Sequence, residues 1–316
     1  MIPDPLAERT HRWQEWDPAT LVDLKRVAGL TASLVLPARN EAGTVGDVVR
    51  RVREALVEEM PLLDEIVVID SDSTDDTFGV AADAGAVVHR SREVRPELGS
   101  HPGKGEALWK SQFVTRGDLL VFMDADLVNW DTHFVLGLLG PLLETSGVAL
   151  VKGFYERTRG EDAGGGVSLD GGRVTELVAR PLIALEWPEL SWLVSPLAGE
   201  WSVRRDLFSR LSVPTGYGVE LAALIDTVRL LGSSSIAQVD LGRRAHRHQA
   251  LRDLGSMAAQ VMAASSRRST GSAPDLVVLD QPRKVGEEVE SVRREIPLVE
   301  RPPALDVPVR VAGFDA

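Results

Sequence analysis

Short apolar runs alternate with segments of helical periodicity in the first half of the chain. Four runs have the length and apolar composition of buried strands: residues 33–37, 65–70, 86–88 and 119–123. Between these runs, apolar residues recur at helical spacing over residues 44–59, and residues 75–84 and 106–115 are also predicted to be helical. The alternation over residues 31–127 predicts an α/β fold with a mostly parallel, Rossmann-like sheet covered by helices.

The second half of the chain has a less regular pattern. Helices are predicted over residues 175–185, which Pro181 could interrupt, and over residues 220–231. A strand is predicted over residues 236–241. From about residue 270 the chain is rich in Pro, Glu and Arg, which predicts an extended tail and makes it a candidate for packing on a partner subunit.

The composition restricts the class of protein. A chain of 316 residues, 44% of them hydrophobic, is large enough for one α/β domain with an appended part. The net charge of −12 disfavours a role in binding nucleic acid, and the lack of cysteine excludes disulfides and cysteine-based zinc sites. We find neither an apolar signal-peptide core nor an 18-residue apolar span, so we expect a cytoplasmic protein without membrane association.

Polar clusters follow three of the predicted strands. They comprise residues 37–41, 70–72 and 124–126. Ligands of open parallel sheets bind outside the carboxyl ends of the strands, so we expect these clusters to contribute to one site.

Two carboxylates, Asp124 and Asp126, are separated by one residue at a predicted strand end. With this spacing they can meet one divalent cation and a ribose hydroxyl together, and Mg²⁺ and Mn²⁺ prefer oxygen ligands, including those of a diphosphate. A D-x-D pattern alone is a weak signal, and a solvated strand end is the alternative. The position directly after an apolar strand favours the metal site.

Two further loops could contact a nucleotide. Residues 70–77 offer hydroxyls and carboxylates to a nucleoside, although Thr74 or Asp75 could instead cap the following helix. In residues 101–106, glycines allow close backbone approach and Lys104 could meet a phosphate. A helix start without a ligand is the alternative for this second loop.

Three segments of the second half carry candidate chemistry. A glycine-rich turn enters a helix at Arg173, whose guanidinium suits a phosphate, with Thr175 nearby. Glu220 stands where another glycine-rich loop enters a helix, so it could orient sugar hydroxyls or only interact with the helix dipole. Residues 243–248 concentrate cations and imidazoles, either as a solvated face or, through His246, as part of a metal site.

Taken together, these motifs resemble the GT-A glycosyltransferase fold, and those of the second half narrow the resemblance to one family. That family is the retaining glucosyl-3-phosphoglycerate and mannosyl-3-phosphoglycerate synthases of actinobacteria. The resemblance spans about residues 30–265 and leaves the tail after residue 270 uncovered. It is carried by residues 34–41, 70–77, 102–109, 124–126, 171–181, 216–220 and 244–247.

The resemblance implies a role for each candidate residue. The donor sugar nucleotide would be bound by Pro37, Ala38, Arg39, Asn40, Glu41, Ser71, Lys104, Asp124, Ala125, Asp126 and Glu220. A divalent metal, Mg²⁺ or Mn²⁺, would be held by Asp126 and His246. The acceptor 3-phosphoglycerate would be bound by Gly172, Arg173, Thr175 and His248. Catalysis would involve Asp126, Glu220, Arg173 and Leu197, the last through a backbone carbonyl near the anomeric carbon.

The pattern along the chain, together with the resemblance, also predicts how the chain is divided. The expected parts are an N-terminal arm of residues 1–30, a nucleotide-sugar-binding part of residues 31–150, an acceptor-binding and metal-completing part of residues 151–269, and the tail of residues 270–316. A homodimer is a further expectation from the family.

Several positions depart from the glucosyl type. Ala125 and Ala198 stand where Ser is common, Arg39 where an apolar residue is common, Trp201 where Tyr is usual and His248 where Asn is frequent. These changes favour the mannosyl type, which moves mannose from GDP-mannose to the 2-hydroxyl of 3-phospho-D-glycerate with retention. The product, mannosyl-3-phosphoglycerate, is a precursor of the compatible solute mannosylglycerate.

Three alternatives remain open at this point. One is a glucosyl-3-phosphoglycerate synthase that uses GDP-glucose or UDP-glucose. Another is a sugar-phosphate nucleotidyltransferase, but that class needs a glycine-rich loop after its first strand, where this chain has residues 37–41 instead. The third is a non-catalytic protein that binds nucleotide sugars.

Overall fold

The computed structural model describes residues 8–159, 166–167, 172–246 and 251–308. The strands are β1 Thr10–Arg12, β2 Ala32–Ala38, β3 Glu65–Asp70, β4 Val87–Arg90, β5 Leu119–Phe122, β6 Leu150–Arg159, β7 Gly166–Val167, β8 Trp201–Arg204, β9 Val213–Pro214, β10 Ile236–His246, β11 Leu276–Val285, β12 Glu288–Pro297 and β13 Glu300–Arg301. The α-helices are α1 Pro18–Ala28, α2 Val45–Arg53, α3 Thr77–Asp83, α4 Lys104–Ser111, α5 His133–Glu144, α6 Arg180–Glu186, α7 Arg205–Phe208, α8 Val219–Leu231 and α9 Leu251–Thr270. A π-helical turn, Glu54–Glu59, continues α2, and another, Thr175–Ala179, leads into α6.

A mostly parallel sheet forms the centre of the fold. In the described part of the chain its strand order is β1-β10-β6-β8-β5-β2-β3-β4, with β7 beside β6. Strands β5, β2, β3 and β4 are mutually parallel, whereas β8 runs antiparallel between β5 and β6. The α/β fold predicted from the alternating pattern is confirmed.

Both faces of the sheet are covered by helices. In β2, Leu34 and Leu36 point into a core shared with α1, α2 and α5, while Val35 points into a second core shared with α4, α6 and α8. Because both faces of this strand are buried, its sequence from Leu34 to Ala38 is an unbroken apolar run rather than an alternating one.

The first helix shows how local sequence sets an element boundary. Asp17 caps α1 by accepting a hydrogen bond from the Thr20 backbone N–H at 3.0 Å, and Pro18 occupies the first helical position. The helix ends at Gly29, which adopts a left-handed conformation with φ of 64° that favours glycine.

The two ends of the described chain differ from expectation. The predicted N-terminal arm contributes β1, which pairs in parallel with β10 and forms one edge of the sheet. The predicted extended tail forms the antiparallel hairpin of β11 and β12, and β13 then pairs with β9. Arg301 is buried and makes a bidentate ion pair with Glu106 of α4, at 2.7 and 2.8 Å, so this part of the tail packs on its own chain.

The predicted helix over residues 175–185 is confirmed in its position. Pro181 does not interrupt it: the π-helical turn Thr175–Ala179 runs directly into α6, and Pro181 is the second residue of α6. None of the described helices has the length and apolarity needed to cross a membrane.

Candidate active site at the carboxyl ends of the strands

A buried cluster of charged side chains lies just beyond the end of β5. Lys104, the first residue of α4, places its Nζ 2.6 Å from Asp124 Oδ1 and 3.0 Å from Glu220 Oε1. Asp124 follows β5, and Glu220 lies in the first turn of α8. Three residues far apart in sequence, each singled out by its own motif, therefore meet in one place.

The cluster stabilises the charged forms of Lys104 and Asp124. Burial alone would lower the pKa of the Lys104 ammonium, but Asp124 and then Glu220 outweigh it, so the pKa of Lys104 is raised above its ordinary value. Burial opposes ionisation of Asp124, yet Lys104 and Arg244 together hold the pKa of this carboxyl well below its usual range. Lys104 is therefore cationic and Asp124 anionic at neutral pH.

A second cation, Arg244 of β10, extends the cluster. Its Nη2 lies 3.3 Å from both Asp124 Oδ2 and Asp126 Oδ1, and its Nη1 contacts Glu200 and donates to Tyr155 Oη at 2.9 Å. Burial is the largest influence on Glu200 and raises the pKa of this carboxyl. Burial alone would lower the pKa of Arg244, but the neighbouring carboxylates, Glu200 first among them, outweigh it and raise the pKa above its ordinary value. Arg244 thus links the two aspartates to an inner carboxylate that has no exposed surface.

Glycines bring the backbone close around this cluster. A Cβ on Gly105 would lie 1.8 Å from the Pro214 carbonyl oxygen, and one on Gly103 would lie 2.3 Å from that of Thr215. These glycines therefore allow α4 to pack on the backbone at β9. A Cβ on Gly199 would lie 2.3 Å from Asp124 Oδ2, so the backbone there packs directly on the carboxylate.

The loops after β2 and β3 are joined by hydrogen bonds. The Asn40 backbone N–H donates to Ser73 Oγ at 2.9 Å, and Asn40 Oδ1 accepts from the Thr74 backbone N–H at 2.8 Å. Asn40 has a φ of 58°, a left-handed conformation that asparagine tolerates better than most residues. In the next position, the Glu41 N–H donates to Thr77 Oγ1 at 2.8 Å. The two loops form one polar surface at the sheet edge.

The remaining predicted donor residues flank this surface. Pro37 and Ala38 end β2, and the Ala38 carbonyl accepts from the Ser71 backbone N–H at 2.8 Å. Arg39 is exposed, whereas Ala125 is buried between the two aspartates. Of the two predicted capping residues, Asp75 accepts from the Thr77 N–H at 3.1 Å, while the Thr74 hydroxyl lies near Asn40.

The predicted acceptor residues form a second group. Gly172, Arg173 and Thr175 lie where a helical segment begins, and the Gly172 carbonyl accepts from the Glu176 N–H at 2.8 Å. Thr175 is buried and Arg173 is partly exposed. His248 lies outside the described residues. The backbone of His246 ends β10, two residues after Arg244, but its side chain lies outside the described part.

Sequence reasoning missed one buried cation and the partners of another. Lys152 of β6 is 2% exposed, and its Nζ donates to the Ala198 carbonyl at 2.5 Å. A lysine inside the apolar segment 150–154 was the available signal, because a charged residue is rarely buried without a purpose. The pairing of Arg244 with Glu200 had no signal, since it joins residues 44 positions apart.

The chemistry of Asp126 fits a hard divalent cation. Its side chain is 39% exposed, and Arg244 is its one polar partner among the described residues, through Oδ1. Asp124, by contrast, has both oxygens engaged by Lys104 and Arg244. The described residues contain no group of three or more His, Asp or Glu arranged to hold a metal, so further ligands would come from side chains outside the described part, such as the predicted His246, or from the nucleotide.

Comparisons with known proteins agree on one family. Residues 33–177 match the model of glycosyl transferase family 2. The glucosyl-3-phosphoglycerate synthase of Mycolicibacterium smegmatis is 45% identical over 303 residues, covering 93% of this chain and 97% of the relative.

Two solved structures match nearly the whole chain. The mannosyl-3-phosphoglycerate synthase of Rubrobacter xylanophilus is 40% identical with a TM-score of 0.88, covering 96% of this chain and 98% of that one. The glucosyl-3-phosphoglycerate synthase of Mycobacterium tuberculosis, solved with Mn²⁺, UDP-glucose and phosphoglyceric acid, is 42% identical with a TM-score of 0.81, covering 94% and 98%.

The sheet order, the acidic pair after β5 and the extent of these matches lead to the same assignment. The chain belongs to glycosyl transferase family 2, within the GT-A group of glucosyl-3-phosphoglycerate and mannosyl-3-phosphoglycerate synthases.

Proposed function

We propose that the chain is a retaining hexosyltransferase that moves a hexose from a nucleoside diphosphate sugar to the 2-hydroxyl of 3-phospho-D-glycerate. The observation that carries the proposal is the meeting of Lys104, Asp124 and Glu220 at the end of β5, beside Asp126. Such a site offers a fixed cation for a diphosphate and carboxylates for sugar or ribose hydroxyls. The family membership supports the same reaction class.

Each residue group has a proposed task. The joined loops after β2 and β3 would hold the nucleoside through Pro37, Ala38, Asn40, Glu41 and Ser71. Lys104 would lie against the diphosphate, Asp124 against the ribose and Glu220 against the hexose hydroxyls. The helix start at Gly172, Arg173 and Thr175 would bind the acceptor phosphate, because backbone N–H groups and a guanidinium favour an anion there.

A divalent metal, Mg²⁺ or Mn²⁺, is the proposed cofactor. Asp126 would hold it, with His246 as the second protein ligand. When bound, the cation would neutralise charge on the leaving diphosphate. Related structures hold Mn²⁺ or Mg²⁺ together with UDP, which supports this assignment.

Attack on the same face as the leaving group is the proposed mechanism. Glu220 is paired with Lys104 and Glu200 with Arg244, so neither is an unpaired carboxylate ready to form a glycosyl-enzyme. The bond from the anomeric carbon to the diphosphate oxygen breaks as the bond to the acceptor oxygen forms. The acceptor proton passes to the leaving phosphate oxygen. Trapping a covalent sugar on the protein, lost in Glu220→Gln or Glu200→Gln, would contradict this mechanism.

For the donor we propose GDP-mannose, as the sequence departures at Arg39, Ala125 and Ala198 favour. The similarity to the mannosyl-3-phosphoglycerate synthase structure over 96% of the chain supports this choice. A glucose donor is the second candidate. It is favoured by the higher identity, 45% against 40%, to the Mycolicibacterium smegmatis glucosyl-3-phosphoglycerate synthase.

A donor panel tests the proposal. The protein receives 3-phosphoglycerate, Mg²⁺ or Mn²⁺, and in turn GDP-mannose, GDP-glucose, UDP-glucose and UDP-mannose, and release of nucleoside diphosphate is measured. We expect turnover that requires both metal and acceptor, fastest with GDP-mannose. Faster turnover with a glucose donor would replace the proposed sugar and keep the reaction class. Asp126→Asn, which removes a metal-ligand charge at nearly constant size, is the control and should be nearly inactive.

Two other outcomes would contradict the reaction class itself. Release of pyrophosphate from a nucleoside triphosphate and a hexose 1-phosphate would indicate a nucleotidyltransferase. Tight binding of a nucleotide sugar without turnover in any combination would indicate a binding protein. The proposed homodimer is checked separately by sedimentation velocity, where a species of about 34 kDa would contradict it.

A further inference from the structure

Lys152 is a buried cation that has no assigned role in the proposed reaction. It lies in β6, where Trp201 of β8 is its neighbour on one side and Gln238 of β10 on the other. Its Nζ donates to the Ala198 carbonyl at 2.5 Å and lies 5.7 Å from the centre of the Trp201 ring. An ammonium carries three N–H donors, and no second hydrogen-bond acceptor for it occurs among the described residues.

The carbonyl that Lys152 holds belongs to a tight turn at the edge of the charged cluster. The Ala198 N–H donates to the Ser195 carbonyl at 3.0 Å, and the Glu200 carbonyl accepts from the Gly153 N–H at 2.9 Å. Between these anchors, Gly199 packs against the Asp124 carboxylate. The turn is therefore held by these two hydrogen bonds and by the packing of Gly199, and Lys152 binds the Ala198 carbonyl at its centre.

The surroundings of Lys152 carry charge of both signs, but none of it is in direct contact. Glu220 of α8, Lys104 of α4, Glu200 and Asp124 all act on it electrostatically. Within the described residues, however, Lys152 forms no ion pair of the kind that Lys104 makes with Asp124. A fully buried ammonium without a paired carboxylate is costly, so its retention here points to a use for the charge.

We propose that Lys152 is a positioning residue of the transfer reaction, holding the turn of residues 197–199 so that the Leu197 carbonyl is presented to the anomeric carbon. The proposal rests on the proposed function, since Leu197 has its role only in that reaction. The Leu197 carbonyl precedes the held one by a single residue, so fixing Ala198 restricts the orientation of both peptides. Burial lowers the pKa of the Lys152 ammonium to about 8, so the group is mostly charged at neutral pH and loses its proton in mildly alkaline solution.

Lys152→Met tests the proposal, because methionine is unbranched and only one atom shorter than lysine, and it removes both the charge and the donor. We expect kcat to fall by about 10- to 100-fold, because a small misplacement of a reacting group has effects of this size. Binding of nucleoside diphosphate with Mn²⁺, measured by calorimetry, and KM for 3-phosphoglycerate should stay within about threefold of wild type, because the residue is not proposed to bind either ligand.

Lys110→Met is the matched control. Lys110 is also a fully buried lysine that donates to backbone carbonyls, those of Arg95 at 3.2 Å and Gly99 at 2.8 Å, but its partners lie in the segment before α4. This variant should lower thermal stability and leave kcat close to that of wild type. An equal fall in kcat in both variants would mean that general destabilisation causes the effect, and it would overturn the proposal.

A readout that does not need activity completes the test. Amide hydrogen exchange of residues 195–200 should be faster in Lys152→Met than in wild type, and unchanged in Lys110→Met. Unchanged exchange in Lys152→Met, or a kcat within about threefold of wild type, would overturn the proposal. If wild type releases no nucleoside diphosphate from any donor, the proposed function fails, and the exchange measurement still decides whether Lys152 holds the turn.

Discussion

The two halves of the candidate site use different interactions. Around Lys104, Asp124 and Glu220, the side chains are largely buried and held by ion pairs. Around Asn40 and Ser73, most groups are exposed or partly exposed, and the loops contain no ion pair with a buried cation among the described residues. They are held by hydrogen bonds from backbone N–H groups to the Ser73 hydroxyl, the Asn40 amide and the Asp70 and Asp75 carboxylates. Buried charges act in a medium of low dielectric constant, where the interaction energy between two charges is much larger than at the surface.

The difference indicates a division of labour. A reaction that expels a diphosphate needs strong, fixed charge near the breaking bond, and the buried cluster supplies it. A nucleoside needs a shaped polar surface, and hydrogen-bonded loops supply this with little electrostatic strain. Variants of the first region should therefore change turnover by large factors, and variants of the second should change binding by small ones.

The largest effect is expected for Lys104→Met. The buried Glu220 and the partly buried Asp124 would lose their shared cation, and kcat/KM should fall by about 10²- to 10³-fold. Removing one partner of such a buried set also destabilises a protein by about 3–5 kcal/mol. Steady-state kinetics and chemical denaturation measure the two quantities.

Lys25→Met is the control for this variant. Lys25 is buried and its Nζ lies 2.8 Å from Asp64 Oδ2, but Asp64 is exposed and the pair lies outside the charged cluster. Loss of this ion pair should lower the free energy of unfolding by about 1 kcal/mol or less, and the protein should keep its activity. If Lys25→Met and Lys104→Met reduced kcat/KM equally, the loss would come from destabilisation and not from the charged cluster, which would contradict the prediction.

A pH effect of intermediate size is expected from Lys152. Glu220, Glu200 and Asp124 favour its charge and Lys104 opposes it, but burial is the largest influence and brings the pKa to about 8. If the charge supports turnover, kcat of the wild type should fall about fivefold between pH 8 and pH 9 as the ammonium loses its proton. In Lys152→Met, kcat should already be low and should not decline further in this range.

The effect of the same group on stability has the opposite sign. The pKa of Lys152 is lowered from an ordinary value of 10.5, so the unfolded chain binds more protons between about pH 8 and pH 10. The contribution of Lys152 to the free energy of unfolding should therefore rise with pH in this window while kcat falls. Parallel declines of stability and kcat in wild type, absent from Lys152→Met, would contradict the assignment.

The smallest effect is expected for Asn40→Ala in the nucleoside region. The substitution removes the hydrogen bond to the Thr74 N–H and leaves a β-carbon at a φ of 58°. We expect KM for the donor to rise a few-fold, for a loss of about 1 kcal/mol, with kcat nearly unchanged. Asn40→Gly keeps the backbone conformation accessible, so comparing the two variants separates lost hydrogen bonding from backbone strain; a large fall in kcat in either would contradict the division of labour.

Most of the sheet and much of the charged cluster could be predicted from the sequence. Strands β2, β3 and β5 are buried on both faces, so their apolar runs are visible without any tertiary information. The polar residues after them had to lie at one edge, because parallel strands end on the same side. This reasoning identified Asp124, Asp126 and Lys104 as members of one site.

Other features could not be predicted from local pattern. Strand β1 has three residues, too few for a periodicity, and joins the sheet only because β10 offers an open edge. The hairpin of β11 and β12 has mostly exposed residues on both strands, so its sequence reads as a polar tail. Local patterns report burial, and these segments have little of it.

The sequence by itself determined the order of strands and helices over residues 31–127, the polar strand ends and the family. Only the tertiary structure decided which charges meet: Lys104 with Glu220, Arg244 with Glu200, and Lys152 with the Ala198 carbonyl. The physical reason is that periodicity and strand ends are local properties of the chain. An ion pair depends on two side chains reaching the same buried point, and only the packing of the sheet against its helices and turns sets that point.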